Sequence, residues 1–207
     1  MAGPTPGACA VLMFYLTQHL HLDLMRYLHD MKNHIAFGLI ALAPIVAAQE
    51  TQMILTPNWE YVADQVMGGV STGQITARKD GNSSVTRLTG DVSLENNGGF
   101  VQMAFDLLPG GATFDASQFS GIEIVVRGNG ETYDLRLRTD QLARPWHSYR
   151  TEFVAPKDWH TLRMPFESFA PHRTDVVFDQ TRLRRIGVLA IGRTFRADIS
   201  VARISFY

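Results

Sequence analysis

From Leu88 to the end of the chain, apolar side chains return at every second position. Leu88, Gly90, Val92 and Leu94 alternate with Thr89, Asp91 and Ser93. Val101, Met103, Phe105 and Leu107 alternate with Gln102, Ala104 and Asp106. Ile122, Ile124 and Val126 oppose Glu123, Val125 and Arg127, and Tyr133, Leu135 and Leu137 oppose Asp134, Arg136 and Arg138. Tyr149, Thr151 and Phe153 continue the habit, and Ile199, Val201, Ile204 and Phe206 close it. Period two is the repeat of a strand with one face on a core and the other in water. Turn formers separate the runs, among them Asn96-Asn97-Gly98-Gly99, Pro109-Gly110-Gly111 and Gly128-Asn129-Gly130. After residue 49 no window carries a helical stripe; Pro165 to Phe169 reads as one short helical turn. The pattern predicts an all-β chain folded as one β-sandwich over about residues 50–207.

The outward positions of these strands carry charge. Glu123, Arg127, Asp134, Arg136, Arg138, Arg150 and Glu152 would form one polar face if their strands were neighbours. Trp146 and His147 would edge it. Such a face is either a solvated surface with weak cross-strand ion pairs or a concave ligand site. On the second reading Arg127, Arg136, Arg138, Arg150 and Trp146 are the candidate binding residues. Past residue 48 the chain has two lysines against fifteen arginines. Arginine suits bidentate contacts to carboxylates and hydroxyl-rich ligands. The net charge of −1 gives no field that would gather nucleic acid or an anionic membrane. The short cluster Arg182-Leu183-Arg184-Arg185 is too small to suggest nucleic acid.

The front of the chain differs from the rest. Met31-Lys32 precedes an apolar run from Ile35 to Ala48 that ends in the small residues Val46-Ala47-Ala48. Basic start, short apolar run and small-residue cut are the parts of a secretory signal peptide. The run is short for the ~20 residues of a membrane span. The expectation is a signal peptide over 31–48, a mature chain from Gln49, and a periplasmic or secreted protein with no stable membrane span. An uncleaved N-terminal anchor is the alternative. Residues 1–30 are expected to be an extension upstream of a true start at Met31. They hold the one cysteine, Cys9, so the mature chain has no thiol, disulfide or cysteine metal site.

One stretch has the look of chemistry. Asp64 to Gly73 reads DQVMGGVSTG, and its second half matches the G-x-S-x-G elbow of serine hydrolases. An elbow needs a buried strand before the serine and a helix after it, whereas Gln74-Ile75-Thr76-Ala77 alternates like a strand. The mature chain's histidines, His147, His160 and His172, have no evident route to Ser71. Asp64 with Glu95, Asn96 and Asn97 has oxygen ligands of the calcium kind, but such residues are commoner as turn formers. No metal or cofactor is expected. Asp64 stays a candidate for holding a loop or a ligand.

Taken together the motifs resemble a known family. Trp59 followed by Asp64-Gln65-Val66-Met67-Gly68-Gly69-Val70-Ser71 resembles a signature of the complex I intermediate-associated protein 30 domain. So do Ser93-Leu94-Glu95-Asn96-Asn97-Gly98-Gly99-Phe100 and Arg127-Gly128-Asn129-Gly130 with Tyr133, where Asn129 stands in place of the usual aspartate. Trp159 with Met164-Pro165-Phe166-Glu167-Ser168-Phe169 completes the set. The resemblance covers nearly all of residues 49–207. It implies a galactose-binding-like sandwich (a jelly roll), a non-catalytic role and no catalytic residues to carry over. It also implies a protein-binding or chaperone-like role in assembling a respiratory complex. An exported carbohydrate- or small-ligand-binding module is the alternative, and a hydrolase acting through Ser71 a remote third. The partner is thus a protein or a glycan, and not nucleic acid.

Overall fold

A computed structural model describes residues 51–80 and 83–207. The expected signal peptide, the upstream extension and Cys9 lie outside them. Twelve strands form: β1 (Met53–Ile54), β2 (Glu60–Ala63), β3 (Thr72–Asp80), β4 (Ser83–Val92), β5 (Phe100–Asp106) and β6 (Gly121–Gly128), then β7 (Thr132–Thr139), β8 (Ser148–Val154), β9 (His160–Pro165), β10 (Ala170–His172), β11 (Leu183–Ile191) and β12 (Phe195–Phe206). The described helices are single 3₁₀ turns, one of them the expected turn at Phe166–Ser168. None of them is long and apolar enough to cross a membrane.

The strands make two antiparallel six-stranded sheets. One has the order β3-β4-β12-β6-β9 with β1 added on β12; the other runs β10-β8-β7-β11-β5-β2. This is the all-β jelly-roll sandwich that the alternation predicts. Among the described strands, only β3–β4 and β7–β8 are chain neighbours that pair with each other. Elsewhere the chain crosses between sheets, except from β10 to β11, which lie apart in the second sheet, so long-range pairing builds both.

The inward positions fill the space between the sheets. Leu88, Ile122, Ile124, Val126 and Ile199 come from the first sheet; Met103, Tyr133, Leu135, Leu137, Tyr149 and Ile186 come from the second, and all are essentially without solvent exposure. The signature aromatics belong to this core. Trp59 meets the Phe105 ring edge-on at 4.7 Å, and Phe166 lies 5.6 Å from Phe178. The Tyr133 hydroxyl donates to Asn129 Oδ1 at 2.8 Å and accepts from the Asp198 amide at 2.8 Å. That closes the Gly128-Asn129-Gly130 turn onto β12, and burial pushes the phenol up to about 12.

The crossing topology corrects one expectation. Glu123 and Arg127 lie on β6, in the first sheet, while Asp134, Arg136, Arg138, Arg150 and Glu152 lie on β7 and β8, in the second. The seven residues do not share a face. Gly128-Asn129-Gly130 carries the chain from one sheet to the other rather than back along the same one.

Candidate functional site

Two polar constellations stand out. The first is buried. Asp64 opens a 3₁₀ turn (Asp64–Met67) and is fully removed from solvent, as is Ser71. The Asp64 carboxylate accepts from the Ser71 amide at 3.0 Å on Oδ1. On Oδ2 it accepts from the Gly99 amide at 2.5 Å, the Phe100 amide at 3.2 Å and the Ser71 hydroxyl. Ser71 Oγ in turn accepts from the Ser93 amide at 3.0 Å. Burial alone would push the Asp64 carboxyl up. The hydrogen bonds from the Ser71 side chain and from the amides of Gly99, Phe100 and Ser71 outweigh it and hold the group below its ordinary 3.8.

The glycines of both signatures make room for this carboxylate. A Cβ on Gly98 would sit 2.5 Å from Asp64 Oδ2, and one on Gly69 would fall against the Asp64 side chain itself. Two motifs 30 residues apart in the chain are therefore one knot, with Asp64 at its centre. Asn96 and Asn97 have left-handed backbones, φ 56° and 59°, so they act as turn formers. Among the described residues no group of three or more acidic, histidine or cysteine side chains is placed to hold a metal ion. Of the two roles the sequence leaves open for Asp64, a loop or a ligand, its hydrogen bonds favour the loop: its acceptors are all engaged inside the fold. Nor does Ser71 have an elbow's exposed hydroxyl, for a strand follows it rather than a helix.

The second constellation lies on the outer face of the second sheet. The register sets out its rows. In one row Arg150 and Arg136 are cross-strand partners, and Arg136 faces Gly187, which faces Ala104. In the next row Arg138 pairs with Arg185, which pairs with Asp106. Like charges side by side are unfavourable unless bridged. Asp134 bridges one pair, lying 2.9 Å from Arg136 and 3.3 Å from Arg150. Arg150 also contacts Glu152, while Arg185 is held by Asp106 at 2.7 Å and Glu60 at 2.6 Å. All four carboxylates of the face are used by these three arginines.

Arg138 has none of them. It donates to the carbonyls of Arg144 at 3.0 Å and Leu142 at 3.4 Å, and its Nε has no hydrogen-bond partner. Desolvation, then the charges of Arg184 and Arg185, lower its pKa. It lines a cavity of about 80 Å³ floored by Gly187, Ala104 and Leu189 and walled by Gln102, Arg136 and Ser148. Ser148 is buried, and its hydroxyl also lacks a partner. Pro145 covers one side. The next residue, Trp146, is 46% exposed and carries Arg144 over its ring at 5.9 Å.

Of the expected binding residues, then, Arg136, Arg138 and Arg150 share this face, with Trp146 on the loop that Arg138 holds. Arg127 is elsewhere, stacked 4.7 Å over the Trp159 ring on the other sheet. Gln102, Ser148 and Gly187 escaped the sequence reading. Their one signal is Gly187, a glycine inside an apolar strand, which marks a close approach or an opening.

A family model described as complex I intermediate-associated protein 30 (CIA30) matches residues 48–200. The chain belongs to this family. The Asp64 knot and the Tyr133 turn both lie within the matched residues. No curated protein matches the chain. Among solved structures, the family 11 carbohydrate-binding module of the cellulase Lic26A-Cel5E of Clostridium thermocellum is similar at TM-score 0.62 and 12% identity, over 76% of this chain and 94% of that one. The family 11 module from the same organism, in complex with a β-1,3-1,4-mixed-linked tetrasaccharide, gives 0.60 and 14%, over 76% and 95%. The family 30 module of its cellulase Cel9D-Cel44B gives 0.54 and 14%, over 76% and 97%. At these identities the likeness is one of fold: the CIA30 chain has the jelly roll of those modules.

Proposed function

We propose that this CIA30 chain is a non-catalytic binding module that takes a hydroxyl-rich saccharide on the outer face of its second sheet. One observation carries the reading. A depression floored by Gly187 and Ala104 holds hydrogen-bonding groups without protein partners, and an exposed Trp146 stands on the loop beside it. Saccharide sites combine an aromatic surface for a ring with a few placed donors. The likeness to carbohydrate-binding modules supports the reading at the level of fold, and the export signal expected over 31–48 fits it. Glycan-array binding by the native chain, with loss on Gly187→Val and Trp146→Ala, tests it. A Cβ at this position meets the end of the Leu189 side chain at 3.2 Å and the Ala104 Cβ at 3.4 Å, so the larger valine takes up the floor, and its melting curve is recorded beside the binding. Absence of any bound glycan, or unchanged binding by both variants, ends the reading.

A second reading has its own observation. The two loops tied by Asp64 expose Val66, Met67, Val70 and Leu94. A cluster of exposed apolar residues on rigid loops suits a protein partner, as the assembly-factor role suggested by the family would require. Co-purification of a respiratory-complex subunit with the native chain, but not with a Val66→Asp, Met67→Asp variant, is its expected result. Equal recovery by both proteins removes it.

A further inference from the structure

We propose that the cavity beside Arg138 receives the carboxylate of an acidic sugar residue, a uronic-acid unit, so that the saccharide bound on this face is anionic. This rests on the saccharide reading above. The argument is one of unmet valence. On this face Asp134, Glu152, Asp106 and Glu60 already pair with Arg136, Arg150 and Arg185. Arg138 is the guanidinium left without a direct ion pair, half-buried, bonded to carbonyls alone with its Nε unpaired, and attracted only at longer range by Asp106, which Arg185 already holds. A cation taken partly out of water without a direct ion-pair partner is costly, and an oxyanion is the group that relieves it.

Size and donor type narrow the ligand further. About 80 Å³ admits several waters, or a carboxylate with part of the ring that carries it. Arg138 and Ser148 are both able to donate, and Gln102 adds an amide that can meet a neighbouring hydroxyl. Inorganic anions would satisfy Arg138 but leave Trp146 idle. A carboxylate on a pyranose places its charge by Arg138 and a ring toward Trp146. The surroundings have the sign such a group needs. Burial, then the charges of Arg136, Arg150 and Arg173, press His172, at the edge of the same face, down to about 4.

The test compares oligogalacturonate, oligoglucuronate and oligomannuronate with the same chains after reduction of each carboxylate to an alcohol. Binding is followed by calorimetry on the full mature chain. The expected result is binding of at least one acid form, at least ten-fold weaker binding of its reduced form, and weakening with added salt. Arg138→Gln should lose the acid-over-neutral preference while keeping the native melting curve, and Ser148→Ala should weaken acid binding about three- to ten-fold. As a second readout, bound uronate should raise the His172 pKa measured by NMR. Equal binding of acid and reduced forms overturns the carboxylate and leaves the saccharide reading standing. Failure of both forms, with neutral glycans also silent on the array, overturns both. Binding of poly-glutamate but of no uronate overturns the sugar and assigns the cavity to a protein partner.

Discussion

The Asp64 knot and the Arg138 cavity are opposites built from the same materials. In each, a charged side chain is drawn out of water, Asp64 where two loops meet and Arg138 on the outer face of a sheet. Asp64 has a donor for every acceptor it needs, all supplied by its own chain. Arg138 has two backbone carbonyls to donate to, no carboxylate in ion-pair contact, and a nitrogen left without an acceptor. A saturated buried charge holds a fold together, because each partner would be stranded by its loss. An unsaturated one adds little to the fold and leaves a vacancy of defined chemistry for something outside it. The contrast therefore separates residues that serve the fold from residues free to serve a ligand.

The sharpest way to break the contrast is Asp64→Ala. It strands the amides of Ser71, Gly99 and Phe100 together with the Ser71 hydroxyl. Removing one partner of a buried charged network costs about 3–5 kcal/mol, so a loss near 4 kcal/mol, or ~10–15 °C in Tm, is expected. Urea denaturation followed by fluorescence measures it. Gly98→Ala should approach the same value by a different route, since its Cβ would displace the Asp64 carboxylate. A change under 1 kcal/mol in Asp64→Ala would show that the knot is not what joins the two loops.

The next effect is smaller and concerns acid. His172 has a folded pKa of about 4 against an ordinary 6.5, through burial and the charges of Arg136, Arg150 and Arg173. Below 6.5 the unfolded chain takes up a proton that the native chain refuses until about pH 4. Stability is therefore full above pH 6.5 and falls across that window. Half-exposure screens the effect to about 1–2 kcal/mol. Asp64, held below 3.8, adds a further loss at more acid pH. His172→Gln should flatten the stability profile between pH 6.5 and 4 while leaving the steeper acid limb. An unchanged slope in that variant would mean that burial and the neighbouring arginines together do not depress the His172 pKa.

The sequence shows these two regions unequally. In the second sheet β5, β7 and β8 are legible because alternation of period two survives wherever one face is buried, whereas β11 is buried on both faces from Ile186 to Ala190 and shows no alternation. Assignment of strands to sheets is not legible, since the turn at Gly128-Asn129-Gly130 looks the same whether it returns beside β6 or crosses to the other sheet. That is why the alternation alone puts Glu123 and Arg127 with residues that lie in the other sheet. The Asp64 motif is legible as a glycine turn, but an aspartate before glycines reads as surface. Only the return of Gly98 to Phe100 from a distant segment reveals it as buried. The Arg138 site is the least legible part. Its arginines announce themselves, yet which of them lacks a carboxylate depends on the register of four strands. Ser148, Gln102 and Gly187 carry no local mark beyond a glycine in an apolar run.

The smallest expected effect decides the most. Arg138→Met keeps the aliphatic stem against the sheet and removes the charge. The variant gives up two hydrogen bonds to the carbonyls of Leu142 and Arg144, each worth about 1 kcal/mol. It also removes the cost of a cation partly out of water and its repulsion from Arg184 and Arg185, less the longer-range attraction of Asp106, a relief of similar size because no direct ion pair is lost. The two terms oppose each other, so the stability change should lie within about 1 kcal/mol of zero. Parallel urea titrations of Arg138→Met and Asp64→Ala put the two regions on one scale. A loss in Arg138→Met as large as that in Asp64→Ala would make Arg138 a second structural knot. Near-neutral stability leaves it as a charge the fold carries without needing, and therefore one that selection can hold for binding.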